Sequence, residues 1–203
     1  MSRASLIRSL VLLVILIPPT DALASWSVGV GGGFTDGYSY HTYSFGSAGL
    51  NGGGYPSIVA SRGLGQRVSF QLESSYLRFG DSYQSAQFLP VGLGVRFLPV
   101  VNPEVRGKPY VQLSPALIVA RLSQRNTTYM LRAVTVEQSF TEVLPGAIAG
   151  AGIAGPIAGK LHLDLGLRYL FSMKVKDPQR IIAGSPLKGL SQTSITTALS
   201  FTL

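Results

Sequence analysis

The residues of this chain best able to do chemistry are two acids, two arginines and a histidine. Each sits at an alternate position of an apolar-patterned segment. Glu73 follows Gln71 in "VSFQLESS", Arg96 closes "VGLGVRF", Gln112 lies in "KPYVQLSPAL", and His162, Asp164 and Arg168 are spaced by twos and fours in "LHLDLGLRYLF". Two acids and two arginines facing one narrow space neutralise one another. An unpaired charge there would cost several kcal/mol. The set Gln71, Glu73, Arg96, Gln112, His162, Asp164 and Arg168 therefore reads as a polar network, either a structural plug or the lining of a narrow ion path. His162 and Asp164 also suggest a His–Asp pair, but a hydrolase would need a nucleophile and an oxyanion site as well. A second histidine, His41, has Asp36, Ser39 and Ser44 nearby. Ser and Tyr crowd that whole stretch, so these neighbours say little, and no catalytic residues are assigned.

What must position the charges is a set of strands. In "LHLDLGLRYLF" the large apolar side chains Leu161, Leu163, Leu165, Leu167, Tyr169 and Phe171 fall at every second residue. A strand sends them all to one face. The same alternation predicts eight strands, at Trp26–Phe34, Tyr55–Arg62, Arg67–Arg78, Phe88–Leu98, Pro109–Ala120, Phe140–Ile153, 161–171 and Gly189–Leu203. The sixth, with "AIAGAGIAG", alternates by size more than by polarity. Pro115 in the fifth suggests a bulge.

The apolar faces could look at a soluble core or at lipid. Only 13% of the residues are charged, against 46% hydrophobic, with 24 Gly and a net charge of +8. Soluble domains carry about 25% charged residues. The second face is mostly Gly, Ser, Ala, Thr and Gln, which suits a tight lumen better than a solvated surface. The connections 35–54, 79–87, 121–139 and 172–188 are mostly long, and 63–66, 99–108 and 154–159 are shorter. An even strand count with long loops on one side is the layout of an outer-membrane barrel. Trp26, Phe97 and Phe201 fall near the short-turn end, and Phe34, Tyr76, Tyr169 and Phe171 near the other. All seven share the parity of the apolar face, as two lipid-facing aromatic girdles require. Eight strands leave an interior barely wide enough for side chains, which favours the plug over the ion path. A charge at Leu165 should then be costly, and Ser at Gly166 on the other face should matter less.

Residues 1–24 carry Arg3 and Arg8, the apolar run "LVLLVILI", and small residues at "ALA". They are expected to be a cleaved export signal, leaving 25–203 as one barrel domain. The chain has no Cys, so no disulfide is expected.

The mature chain resembles the small eight-stranded outer-membrane barrels, the OmpA-like and OmpX-like group of porin-family barrel domains. The resemblance rests on "KPYVQLSPAL", "LHLDLGLRYLF" and the terminal "ITTALSFTL", and spans nearly all of the mature chain. It implies an all-β, eight-stranded antiparallel up-and-down transmembrane barrel in the outer membrane, inserted by the barrel-assembly machinery through its last strand. Such strands usually end in an aromatic residue. This one ends in Leu203, with Phe201 two residues earlier.

Two further sets fall on the outer connections. Tyr38, Tyr40, Tyr43 and Phe45, among Gly and Ser, resemble a recognition surface. The competing reading is that the first strand simply continues beyond the membrane. Arg121, Arg125, Arg132, Lys174, Lys176 and Arg180 would pair with lipopolysaccharide phosphates. No metal spacing, phosphate loop or dinucleotide fingerprint is present, so no cofactor is expected. The basic pI of about 10.0 comes without a nucleic-acid-binding fold. The expected function is a structural or surface-interaction role through the outer loops, as a monomer. The alternatives are a narrow channel for small or apolar solutes and, third, a lipid-modifying enzyme.

Overall fold

The computed structural model describes residues 25–42, 46–80, 84–100, 106–130, 132–173, 181–182 and 185–203. They form ten strands: β1 (Trp26–Thr42), β2 (Gly46–Gly63), β3 (Val68–Ser75), β4 (Leu77–Gly80), β5 (Gln84–Phe97), β6 (Lys108–Met130), β7 (Arg132–Ala158), β8 (Leu161–Ser172), β9 (Ile181–Ile182) and β10 (Ser185–Thr202). The strand order is β1-β2-β3-β5-β6-β7-β8-β10, and β10 pairs back onto β1. β3 and β4 both pair with β5 in one continuous register, interrupted at Ser75 and Tyr76, so they make one stave of the wall. β9 is a short flap on the start of β10. The result is a closed, antiparallel, eight-staved barrel. Among the described residues no helix is long and apolar enough to cross a membrane.

Side chains alternate as the sequence pattern requires. On β6, Val111, Leu113, Leu117 and Val119 are exposed, while Gln112, Ser114, Ala116, Ile118 and Ala120 are buried. Exposed apolar residues continue around the wall, through Leu165 and Leu167 on β8 to Ile195 on β10, which is 65% exposed. A closed belt of bare Leu, Ile and Val is what a lipid-facing wall needs and what a soluble barrel avoids.

The strands run further than sequence alternation indicated. β1 and β2 pair from Trp26↔Arg62 to Thr42↔Gly46, so most of 35–54 is hairpin rather than loop. β6 and β7 stay in register from Lys108↔Ala154 to Met130↔Arg132, which absorbs nearly all of 121–139. The physical reason is that a strand leaving the membrane keeps its ladder while its polarity signal fades. The bulge expected at Pro115 is absent. Pro115 faces Ala147 within the unbroken β6–β7 register. Towards β5 the recorded pairs skip from Gly92↔Ala116 to Val95↔Leu113 without a shift. Proline lacks an N–H, so this stretch of the ladder thins rather than buckles.

The lumen departs from expectation most. It is not polar throughout. Towards the hairpin end it is filled by Leu77, Phe79, Phe88, Ile118, Ala120, Leu144 and Ile148, all buried. Phe79 and Phe88 pack ring to ring at 6.0 Å. These residues come from the neighbouring staves β4 to β7. They make an apolar tier above the polar one.

Candidate lumen site

The polar tier is assembled from opposite walls. β3 and β8 lie four staves apart in a ring of eight, so they face each other across the full lumen. Glu73 projects from β3 and Arg168 from β8, and Arg168 Nη2 meets Glu73 Oε2 at 2.8 Å. Glu73 is 1% exposed. Gln112 Nε2 donates to its two oxygens at 3.3 and 3.4 Å, and Gln71 Nε2 reaches it at 3.5 Å. Arg96 Nη1 lies 2.6 Å from Asp164 Oδ2, and its Nη2 donates to Gln112 Oε1 at 3.2 Å. Tyr110 donates its hydroxyl to Asp164 Oδ1 at 2.6 Å, and the Arg96 guanidinium lies 4.0 Å over the Tyr110 ring.

One connected network thus joins β3, β5, β6 and β8. It holds two cations and two anions and is formally neutral. Six of the seven residues grouped from the sequence meet in it. His162 does not: it is half-buried one alternation below Asp164, opposite Ser200 and Pro156 in the ladders. Asp164 gives its oxygens to Arg96 and Tyr110, so the His162–Asp164 pair weighed above is not formed. Among the described residues no cluster of His, Cys, Asp and Glu could hold a metal ion.

Tyr110 and Tyr55 were missed. Tyr110 lies two residues before Gln112 with the same parity, which is the signal that could have found it. Tyr55, buried on β2, shares a 2.7 Å hydrogen bond with Ser194 on β10. Glycines leave room for these side chains. A Cβ on Gly33 would meet the Tyr55 hydroxyl at 2.4 Å, and one on Gly166 would meet the Tyr110 hydroxyl at 2.5 Å. Ser at Gly166, expected to matter less than a charge at Leu165, therefore carries a steric cost of its own. That hydroxyl is tied to Asp164 and cannot swing away freely.

At the ends of the wall, Phe34, Tyr76, Phe97, Tyr169, Phe171 and Phe201 are exposed on the apolar face. Trp26 is half-buried, with the Arg62 guanidinium 5.5 Å from its ring centroid. Tyr38 and Tyr40 lie within β1, opposite Leu50 and Ala48 of β2, whereas Tyr43 and Phe45 lie outside the described residues. Arg121 is exposed on β6. Arg125 faces Glu137, and Arg132 faces Met130, in the β6–β7 ladder. Lys174, Lys176 and Arg180 lie outside the described residues.

No protein-family model matches the sequence, and no curated protein matches it. Solved structures do. Neisserial surface protein A superposes with a TM-score of 0.58 at 16% identity, over 87% of this chain and 96% of that one. The outer-membrane protein OprG from Pseudomonas aeruginosa gives 0.55 at 8% identity, over 89% and 96%. The outer-membrane protein AlkL, solved in lipid bilayers, gives 0.53 at 9% identity, over 92% and 94%. The fold is that of the small eight-stranded outer-membrane barrels. Identities this low carry the architecture of these barrels and nothing finer. The lumen of this barrel holds a charge-paired tier under an apolar one.

Proposed function

We propose that the protein is an integral outer-membrane barrel with a closed lumen that acts at the cell surface through its outward hairpins. In this reading residues 1–24 are removed on export. The turn end faces the periplasm and the β1–β2 and β6–β7 hairpins face outward. The observation that carries it is the double closure of the interior. Glu73 and Arg168 span the full width of the lumen, and Phe79, Phe88, Ile118 and Leu144 fill the space above them. A wall of eight staves has little volume left once such side chains are inside. The belt from Leu165 to Ile195 supports the lipid placement.

With the lumen shut, the surfaces left for function are the hairpins. Lipopolysaccharide is the proposed neighbour of Arg121, Arg125 and Arg132. The β10 strand is the proposed signal to the assembly machinery, and the barrel is proposed to act as a monomer. No enzymatic role is proposed, since both lumen carboxylates are committed to charge-assisted bonds.

Single-channel recording of refolded protein in planar bilayers tests the reading. No steady conductance is expected. Steady conduction by the wild type would overturn the closed lumen and promote the narrow channel.

A further inference from the structure

We infer that the outer wall of staves β4 to β7 holds one phosphorylated, acylated glycolipid of the lipid A kind, its phosphate clamped between Arg78 and Arg121. The inference rests on the outward placement of the hairpins and deepens the surface role, because it puts a discrete lipid site on the wall itself. Register builds the site. Arg78 of β4 pairs with Gln87 of β5, Gln87 with Arg121 of β6, and Arg121 with Thr141 of β7. The four form one row across four neighbouring staves. Arg78 lies between Leu77 and Phe79, and Arg121 follows Ala120. All three of these apolar residues are buried in the lumen, so both arginines face away from it. Arg78, Arg121 and Thr141 are exposed, and Gln87 is half-buried.

Two ladder steps separate the arginines, roughly 10 Å between backbones. Their long side chains can close on one phosphate above Gln87, whose amide adds a donor. Among the described residues neither arginine is in an ion pair. One alternation towards the midplane, the same staves present Tyr76, Leu89, Val119 and Val143, all exposed. One alternation outward come Ser123, half-buried, and Ser139, exposed. No acid falls at the register positions of these three rows, and Glu142 shares the parity of the buried Leu144. The face thus grades from apolar through cationic to hydroxyl. That order matches a lipid whose acyl chains lie on the wall, whose phosphate meets the arginines and whose sugar meets the serines. A phosphate monoester carries close to two negative charges at neutral pH, enough to engage both guanidinium groups. A zwitterionic phospholipid brings its own cation and has less to gain.

Full-length protein is refolded in detergent, and bound lipid is counted by native mass spectrometry. The probes are bisphosphorylated lipid A, the same lipid stripped of phosphate, and inorganic phosphate. One lipid A per barrel is expected. Its affinity should fall on the order of tenfold in R78Q and in R121Q, and further in R78Q/R121Q. R125Q/R132Q, further out on the β6–β7 hairpin, should keep it. Heat-modifiable migration verifies that each variant is folded. Unchanged binding in R78Q/R121Q overturns the inference, as does equal binding of the stripped lipid. A loss in R125Q/R132Q as large as in R78Q/R121Q overturns the clamp in favour of diffuse attraction. Full displacement by inorganic phosphate at constant ionic strength overturns the lipid, leaving free phosphate as ligand. The outward placement is tested separately. The chain has no Cys, so Ser139→Cys offers a single thiol to a membrane-impermeant maleimide on intact cells. Labelling is expected. Its absence overturns the outward placement and the outer-leaflet lipid with it, whereas labelling without lipid A binding overturns the site alone.

Discussion

Arg168 and Glu73 hold each other at 2.8 Å from walls that face one another across the barrel. The bond is a strut through the lumen rather than a link between neighbouring strands. Arg168→Ala would leave Glu73, 1% exposed, with only the long amide contacts of Gln112 and Gln71. Urea unfolding in detergent should show a loss of ~3–5 kcal/mol. Adding Glu73→Gln should recover part of it, because the orphaned charge is gone. A near-neutral Arg168→Ala would mean that water reaches Glu73 and that the lumen is wet.

Tyr110 gives a second handle. Tyr110→Phe removes one hydrogen bond to the Asp164 carboxylate and should cost ~1.5–3 kcal/mol. Gly166→Ala should destabilise on its own, since its Cβ would sit 2.5 Å from the Tyr110 hydroxyl. In the Tyr110→Phe background the added cost of Gly166→Ala should shrink, because the clashing oxygen is absent. Strict additivity of the two changes in a double-mutant cycle would reject this packing.

The wall makes its own prediction. Leu165 is 52% exposed on the apolar belt, one residue from the lumen-facing Gly166. Leu165→Arg should cost ~2–4 kcal/mol when the protein is folded into bilayers. Leu165→Val should be nearly silent. If the two fold with equal free energies, the belt does not face lipid.

Location is checked by fractionation. The protein should leave the envelope only with detergent, and the folded form should migrate faster than the boiled form on a gel. Recovery as a soluble protein without detergent would sink the membrane placement.

How much of this was legible depended on polarity differing between the two faces. In Val68–Ser75 and Leu161–Phe171 it does, and strand, facing and lumen residues all follow from alternation. In "LIVA", residues 117–120, both faces are apolar. Only the parity carried on from Gln112 and Ser114 marks Ile118 and Ala120 as inward, and no polarity change flags that they fill the lumen, so the apolar tier stayed hidden. The membership of the charged set was readable, but its pairing was not. Which arginine meets which acid depends on the tilt and stagger of the staves. The crowding at Gly166 was hidden for the same reason, because Tyr110 reaches it from a strand two staves away. His162 has the right parity but sits too near the rim to join the network.

The strut also has a bearing on the order of events in folding. Glu73 and Arg168 are remote in sequence and touch only once the staves from β3 to β8 have paired and curled half-way round. The bond cannot help a flat or slightly curled sheet, so it is expected to form late, when most of the wall is already paired. Its loss should then appear almost wholly as faster unfolding, with the folding rate little changed, the signature of a contact absent from the transition state. Glu73–Arg168 works as a latch, set last, that governs how long the closed barrel persists.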